Sequence, residues 1–336
     1  MKILVTGATG LIGAHTVFEL LRAGHQVRLL VRSREKAEKY FRSHGIEITD
    51  LVVGDMRDAD AVRLALQGCD ALVHAAAVVG VEKSQAEEIY QSNMQALHAV
   101  IDTAFEVGTA NIVYVSSIGA LCNDRRVVAG SWVDEQAYLF DQSTDAYRRS
   151  KTDCERHVRQ LQRQGAPIQI TYPTAVLGPD DPGFSESNGA LWRFLTQVVP
   201  ISTSGFQIVD ARDIAIVHRL LLEKGAPAQR EQGRFMVGGH FYSWPPFATL
   251  LEQCLGKKLF KLKLPDSWWL FIGIFLDHVK KWIPVDFPLT EEAAVFVTHW
   301  VPVSSEKVRQ EFGFEFRSAE ETVTNTIQWM KKVGHL

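Results

Sequence analysis

Three glycines stand three residues apart in the run TGATGLIG: Gly7, Gly10 and Gly13. The β-branched segment KILVT (residues 2–6) precedes them, and a stretch with helical periodicity from about Leu11 to Ala23 follows. A strand that turns directly into a helix through glycines has few architectures open to it. Glycine there lets another backbone or a phosphate come close, and the helix start offers free N–H groups and partial positive charge. A tight turn with no ligand would use the same residues, so the surrounding pattern has to decide.

That pattern is a β/α alternation. QVRLLV (26–31), ITDLVV (48–53), ALVHAAA (71–77), NIVYVSS (111–117) and IQITYPTAVLG (168–178) read as strands. Helical patterns separate them: one to about residue 43, then Ala59 to Leu66, about Ala86 to Val107, and about Thr144 to Gln164. Apolar runs without alternation fit strands covered on both faces. The reading is an α/β fold with a doubly wound parallel sheet. At 336 residues the chain exceeds one unit of roughly 150 residues. After Gly178 the texture changes to a polar loop, GPDDPGFSESNG, and from Trp244 helical patterns dominate, broken at Pro265, Pro284, Pro288 and Pro302. Between them, QIVDARDIAIVHRLLLE (207–223) and RFMVGG (234–239) are again strand–helix–strand. Residues 1–178 therefore form a dinucleotide-binding domain to which 207–240 returns. Residues 179–206 and 241–336 form a smaller, mainly helical substrate-binding domain.

Composition excludes several classes. Hydrophobic residues are 46% and charged residues 22%, which rules out wholesale disorder. Lys+Arg 36 against Asp+Glu 39 gives −3, so no basic excess drives nucleic-acid binding. Cys69, Cys122, Cys154 and Cys254 lie far apart, as reduced thiols in a cytoplasmic chain do. The 11 histidines show no HxH or HExxH spacing, and no metal is expected. Ile3-Leu4-Val5 breaks at once into the glycine turn, unlike a signal peptide. The most apolar stretch, Trp268 to Leu276, is far shorter than the ~20 residues that span a bilayer. The longer run WWLFIGIFLDHVKKW (268–282) reads as a core or dimer-interface helix, with homodimerisation left open. The competing reading is a surface-lying helix that contacts a membrane.

An NAD site usually carries a carboxylate roughly 20 residues after the glycine turn. Here Arg32-Ser33-Arg34 holds that place and no carboxylate comes before Glu35, which favours NADP(H), with NAD(H) left open. A solvated basic helix start is the plainer reading. Asp55, in VVGDMRD, serves either an adenine amino group or a local turn. Ala75, Ala76 and Ala77 supply small residues where a backbone passes under a cofactor.

Tyr147 and Lys151 in YRRSK are four apart and share a helix face. A cation beside a phenol favours the phenolate, which suits general acid–base chemistry. Ser116-Ser117 end the fifth strand, at the edge where such sheets bind ligands. Asn93 sits on the helix after the fourth. Each has an ordinary structural use, but the ordered set is hard to assemble by accident.

TGATGLIG, Asp55, HAAA, Asn93, VSS, YRRSK and YPTAVLGP together resemble the extended short-chain dehydrogenase/reductase superfamily over nearly the whole chain. The likeness is strongest to its dihydroflavonol-reductase-like and 3β-hydroxysteroid-dehydrogenase-like branch. The resemblance implies Tyr147 as proton donor or acceptor, Lys151 also holding the nicotinamide ribose, Ser117 orienting the substrate carbonyl, and Asn93 supporting a proton-relay water. It further implies cofactor contacts from Thr9, Leu11 and Ile12 in the glycine turn and from Met56 beside Asp55. Pro173 and Val176 on the sixth strand would add to them. Tyr172-Pro173-Thr174-Ala175-Val176 lacks the arginine and asparagine usual in sugar-nucleotide epimerases. The implied function is an NADP(H)-dependent carbonyl/alcohol oxidoreductase acting on a small hydrophobic substrate. A nucleotide-sugar epimerase or dehydratase with tightly bound NAD is the alternative, and a non-catalytic dinucleotide sensor the second. Substrate contacts are expected between Ser117 and Tyr147, in the loop after Pro179 and in the C-terminal region. Tyr138, Phe140, Phe184, Trp192 and Phe206 are pocket candidates, each equally suited to interdomain core. Cys154, one turn past Lys151, reads as a buried helix thiol.

Overall fold

The computed structural model describes residues 1–77, 86–121, 132–139, 146–279 and 290–336, the side chains of Ala86, Ala146, Tyr147 and Glu292 excepted. The chain opens β1 (Lys2–Thr6), α1 (Leu11–Arg22), β2 (Gln26–Val31), α2 (Arg34–Ser43), β3 (Leu51–Val53), α3 (Ala59–Leu66), β4 (Ala71–His74) and α4 (Ala86–Leu97). It continues through a π turn (His98–Asp102) into α5 (Thr103–Glu106), then β5 (Asn111–Val115), α6 (Ala146–Arg163) and β6 (Ile168–Pro173). The second part holds β7 (Ala175–Leu177), α7 (Glu186–Thr196), β8 (Val199–Ile201), β9 (Gly205–Asp210), α8 (Ala211–Lys224), β10 (Arg234–Val237) and β11 (His240–Ser243). α9 (Trp244–Leu255), β12 (Lys261–Lys263), α10 (Asp266–Val279), α11 (Glu291–Thr298), α12 (Glu306–Phe312) and α13 (Ala319–Lys332) complete it.

Seven strands form one parallel sheet in the order β10-β6-β5-β4-β1-β2-β3. The order reverses at β1, so the crevice for a ligand opens at the C-terminal ends of β1 and β4, above the glycine turn. β1, β4, β5 and β6 are Val/Ile/Leu-rich and buried almost throughout, because helices cover both faces. One apolar layer, including Val17, Leu20, Ile214 and Leu221, packs α1 and α8 on one face. The other, including Val62, Ile101, Val158 and Leu161, packs α3, the α4–α5 helix and α6 on the opposite face.

Two expected strands differ from the reading of the sequence. β3 is Leu51–Val53 rather than 48–53, because this edge strand pairs only with Leu29–Val31. The run 168–178 divides at Thr174: Pro173 has no N–H for a ladder, and the Thr174 hydroxyl donates to the Gly238 carbonyl at 2.9 Å. β7 then leaves the large sheet and pairs with β9, which also pairs with β11. Within 207–240, α8 and β10 lie with the parallel sheet, whereas β9 belongs to the small one. An aromatic core of Phe206, Trp244, Phe247 and Trp300 fills the second part.

Candidate active site

The glycine turn is built by exclusion. Gly7 has φ +77, and a Cβ there would lie 2.6 Å from the Ala76 nitrogen and 2.7 Å from the Ala75 carbonyl carbon. The small residues after β4 therefore press directly on the turn, which unites two features read separately in the sequence. At Gly13 a Cβ would lie 2.1 Å from the Gly7 carbonyl oxygen, so α1 packs onto its own entry strand only through glycine. Gly10 differs: a Cβ there would meet only the Gly7 oxygen, at 3.5 Å, an ordinary contact. Nothing among the described residues demands glycine there. Gly10 is also the N-cap of α1, with no side-chain cap and no acid in the first turn. Among the described residues no side chain caps the start of α1, and its first N–H groups suit an anion. Thr9 is exposed beside it, Ile12 is half-buried, and Leu11 turns its side chain into the core.

At the end of β2 the three polar residues part company. Ser33 caps α2 by accepting from Lys36 N, and Arg34 donates to Glu38 and to the Leu51 carbonyl. Arg32 stays exposed and forms no hydrogen bond or ion pair among the described residues. Asp55 accepts from the Arg57 backbone at 2.9 Å and from its guanidinium at 2.6 Å. Those bonds, with the charge of Arg32 added, hold its carboxyl below the usual range. It therefore makes the turn-type contact, and to bond an adenine it would have to share or release Arg57. Met56 is half-buried beside it, and Pro173 and Val176 are buried at the ends of β6 and in β7.

The catalytic candidates come from three elements. Ser117 follows β5 in extended conformation, and its Oγ accepts from Gly119 N at 3.1 Å. That bond uses a lone pair and leaves the hydroxyl proton for another acceptor. Asn93 is buried on α4 and donates to Ser150 Oγ at 3.2 Å, tying α4 to α6. Lys151 is buried on α6, one turn after Tyr147. The helix backbone includes Tyr147, but its side chain lies outside the described residues, as do Phe140, Cys122 and 280–282. α6 is fixed to the sheet by a buried trio: the Tyr172 hydroxyl and Arg159 Nε both donate to Glu155 Oε1, at 2.5 and 2.7 Å.

His74 joins the two ends, and nothing in the sequence singled it out beyond the HAAA run. Its Nδ1 lies 2.7 Å from Thr6 Oγ1, at the C-terminal end of β1. Burial, aided by the nearby Lys151 ammonium, lowers its pKa to about 3, so the imidazole is neutral. The charge of Lys151 is thus felt at the C-terminal end of β4, the strand that pairs with β1. The loop after Pro179 is also more organised than its polarity indicates. Buried Asp181 accepts from Gly183 N, Ser185 N and Asn188 Nδ2.

The aromatic candidates do not converge. Phe206 is core, Phe184 packs on His335, Trp192 donates to the His335 carbonyl, and Tyr138 is exposed. Cys154 is buried, and burial pushes its thiol up to about 12. A cavity of about 610 Å³ beside Trp132, His240 and Tyr242 is lined by none of the catalytic or glycine-turn residues. The histidines, scattered in sequence, do meet in one place. His98 and Asp102 in the π turn and His157 on α6 bring possible ligand atoms within 4.8 Å of one another. Burial would raise the Asp102 carboxyl, but hydrogen bonds from His157 and His98 outweigh it and hold it low. Spacing rules missed this group because its members come from two helices.

The chain is similar to several known proteins. The putative dihydroflavonol 4-reductase of Synechocystis sp. is 27% identical over 350 residues, covering 99% of this chain and 95% of that protein. Sterol demethylase protein B of Methylococcus capsulatus is 26% identical over 338 residues, covering 99% of each. The crystal structure of gox2253 matches with a TM-score of 0.82 at 27% identity, over 100% of this chain and 99% of that one. Residues 4–213 match the model of the 3-beta hydroxysteroid dehydrogenase/isomerase family. That match runs over more than half of the sequence, and the chain belongs to this family of NAD(P)-dependent oxidoreductases, within the extended short-chain dehydrogenase/reductase superfamily.

Proposed function

We propose that the protein interconverts a carbonyl and an alcohol on a small hydrophobic substrate, using NADP(H) in preference to NAD(H). The observation that supports this reading is the buried Lys151 on α6, whose charge is felt at His74, itself hydrogen-bonded to Thr6 at the C-terminal end of β1 beside the glycine turn. The residues fit a dinucleotide: Gly10 leaves open the space a Cβ would fill, in front of an uncapped helix N-terminus. Arg32, which makes no hydrogen bond or ion pair among the described residues, is the cation for a 2′-phosphate. The nicotinamide supplies or accepts the hydride.

The chain's own residues handle the proton and the oxygen. Tyr147 donates a proton to the substrate oxygen or takes it back, and Lys151 steadies the phenolate and holds the ribose. Ser117, its lone pair already engaged by Gly119 N, donates its hydroxyl proton to the developing alkoxide. Asn93, held on Ser150, supports the relay water behind them. The substrate class draws support from relatives named for a dihydroflavonol and a sterol, both polycyclic ring compounds.

Fluorescence titration with NADPH and NADH, followed by a panel of hydrophobic ketones and alcohols, tests the proposal. The expected result is NADPH affinity roughly tenfold above NADH, one charge-assisted contact being worth about 1.5–3 kcal/mol, and turnover with some member of the panel. NAD retained through purification without net oxidation would support the epimerase instead. Binding without turnover across the panel would support a sensor.

A further inference from the structure

α10 has two unlike faces. On one, Trp269 and Gly273 are buried, and Leu270, Ile272 and Leu276 pack on the C-terminal core. Gly273 admits α11 closely: a Cβ there would lie 2.7 Å from the Thr290 carbonyl oxygen. On the other face Trp268 is 58% exposed, Phe271 64%, Ile274 42% and Phe275 56%. Positions 268, 271 and 275 follow helical spacing, with 274 beside them, and the Phe271 and Phe275 rings stack at 6.4 Å. A contiguous apolar stripe on an otherwise folded surface marks a contact site.

The charges around the stripe say what it meets. Both acids of α10 are engaged by the protein: Asp266 with Thr203, and Asp277 with Glu291 N at the start of α11. The segment just before the helix, KKLFKLK (257–263), contains no acid. It exposes Phe260 together with Lys257, Lys258, Lys261 and Lys263, and among the described residues only Glu252 pairs with Lys258 and Lys261. Trp and Phe on one face with lysines at the flank is the composition of helices that lie in a bilayer interface, the lysines meeting anionic headgroups. None of the described helices is long and apolar enough to cross a membrane.

We propose that the outer face of α10, with Phe260 and its flanking lysines, docks on an anionic lipid bilayer and holds the protein at the membrane surface. Over the described residues 268–279, one face of the helix is therefore core and the other is exposed. The proposal rests on α10 and its flank alone, and its test uses neither cofactor nor substrate, so it stands or falls apart from the proposed reaction.

The test is flotation of the full chain with equimolar phosphatidylcholine–phosphatidylglycerol vesicles and with phosphatidylcholine alone. Size-exclusion chromatography without lipid runs beside it. Binding is expected to the anionic vesicles, weakening in high salt and on neutral vesicles. Phe271→Ser with Phe275→Ser should cut partitioning roughly tenfold or more while melting stays as in the wild type. The single Phe271→Ser is the control should the double variant melt early. Lys257→Gln with Lys263→Gln should remove much of the salt dependence. No binding by the wild type, or undiminished binding by a folded Phe271 variant, overturns the proposal. A lipid-free dimer that the same substitution turns into monomer also overturns it, assigning the stripe to a second copy.

Discussion

α1 and α8 pack against each other and each follows a strand directly, yet their N-termini are finished in opposite ways. α8 is capped by Asp210, which accepts from Arg212 N at 2.8 Å, and carries Asp213 in its first turn. Its partial positive charge is met from within. α1 begins at Gly10 with no cap and no acid. Two other glycines of the turn, Gly7 and Gly13, are demanded by neighbouring backbone, whereas nothing among the described residues demands Gly10. One helix start is closed by its own side chains and the other is left for an anion from outside.

The largest effect separates structural from ligand-facing glycines. Gly13→Ala would force a Cβ to 2.1 Å from a carbonyl oxygen, so denaturant unfolding should show a loss of about 3 kcal/mol or more, or no folded protein. Next comes Tyr147→Phe, which should lower turnover by roughly 10²–10⁴ while NADPH affinity, read by fluorescence titration, changes little. Equal losses in both would place the phenol in binding rather than proton transfer. Arg32→Ser should reduce the preference for NADPH over NADH by about tenfold, against no change if Arg32 is merely a solvated helix start.

The smallest prediction concerns pH and the packing behind both helices. His218 bridges Thr16 on α1 and Thr171 on β6, at 2.9 and 3.2 Å. Burial lowers its pKa to about 3, as it does for His74. An unfolded histidine takes up a proton near pH 6.5 and these do not, so their stabilisation is full above that pH and lost as pH falls toward 3. Asp213, pushed up to about 6 by burial despite Arg317, works in the opposite direction. Comparing His218→Gln with the wild type isolates one group. The variant should lose about 1 kcal/mol less between pH 6.5 and 5.5 in denaturant unfolding.

The parts legible in the sequence were those set by local pattern. Buried parallel strands read as unbroken Val/Ile/Leu runs, and the helices between them by period, because burial on both faces imposes those patterns directly. Asn93 and Lys151 lie on the helices expected for them, Ser117 just after the fifth strand, and the glycine turn between strand and helix. What escaped was set by partners far along the chain. The Thr6–His74 contact spans 68 residues, and His98, Asp102 and His157 meet only because α4 packs on α6. The break at Thr174 depends on a carbonyl 64 residues away. For 268–282, apolarity identified a helix with something to bury. Only the packed structure separates the face on α11 from the face left outside.

The comparison of α1 with α8 can be tested by making one start like the other. Position 10 has room for a side chain and the extended backbone of an N-cap (φ −107, ψ 166), so Gly10→Asp should cap α1 much as Asp210 caps α8. Melting and NADPH titration of this variant, measured together, bear most directly on the dinucleotide site. The account predicts a melting temperature equal to or above the wild type and NADPH affinity lower by roughly a hundredfold, a carboxylate having taken the place of the phosphates. A stable Gly10→Asp protein that binds NADPH as the wild type does would contradict it.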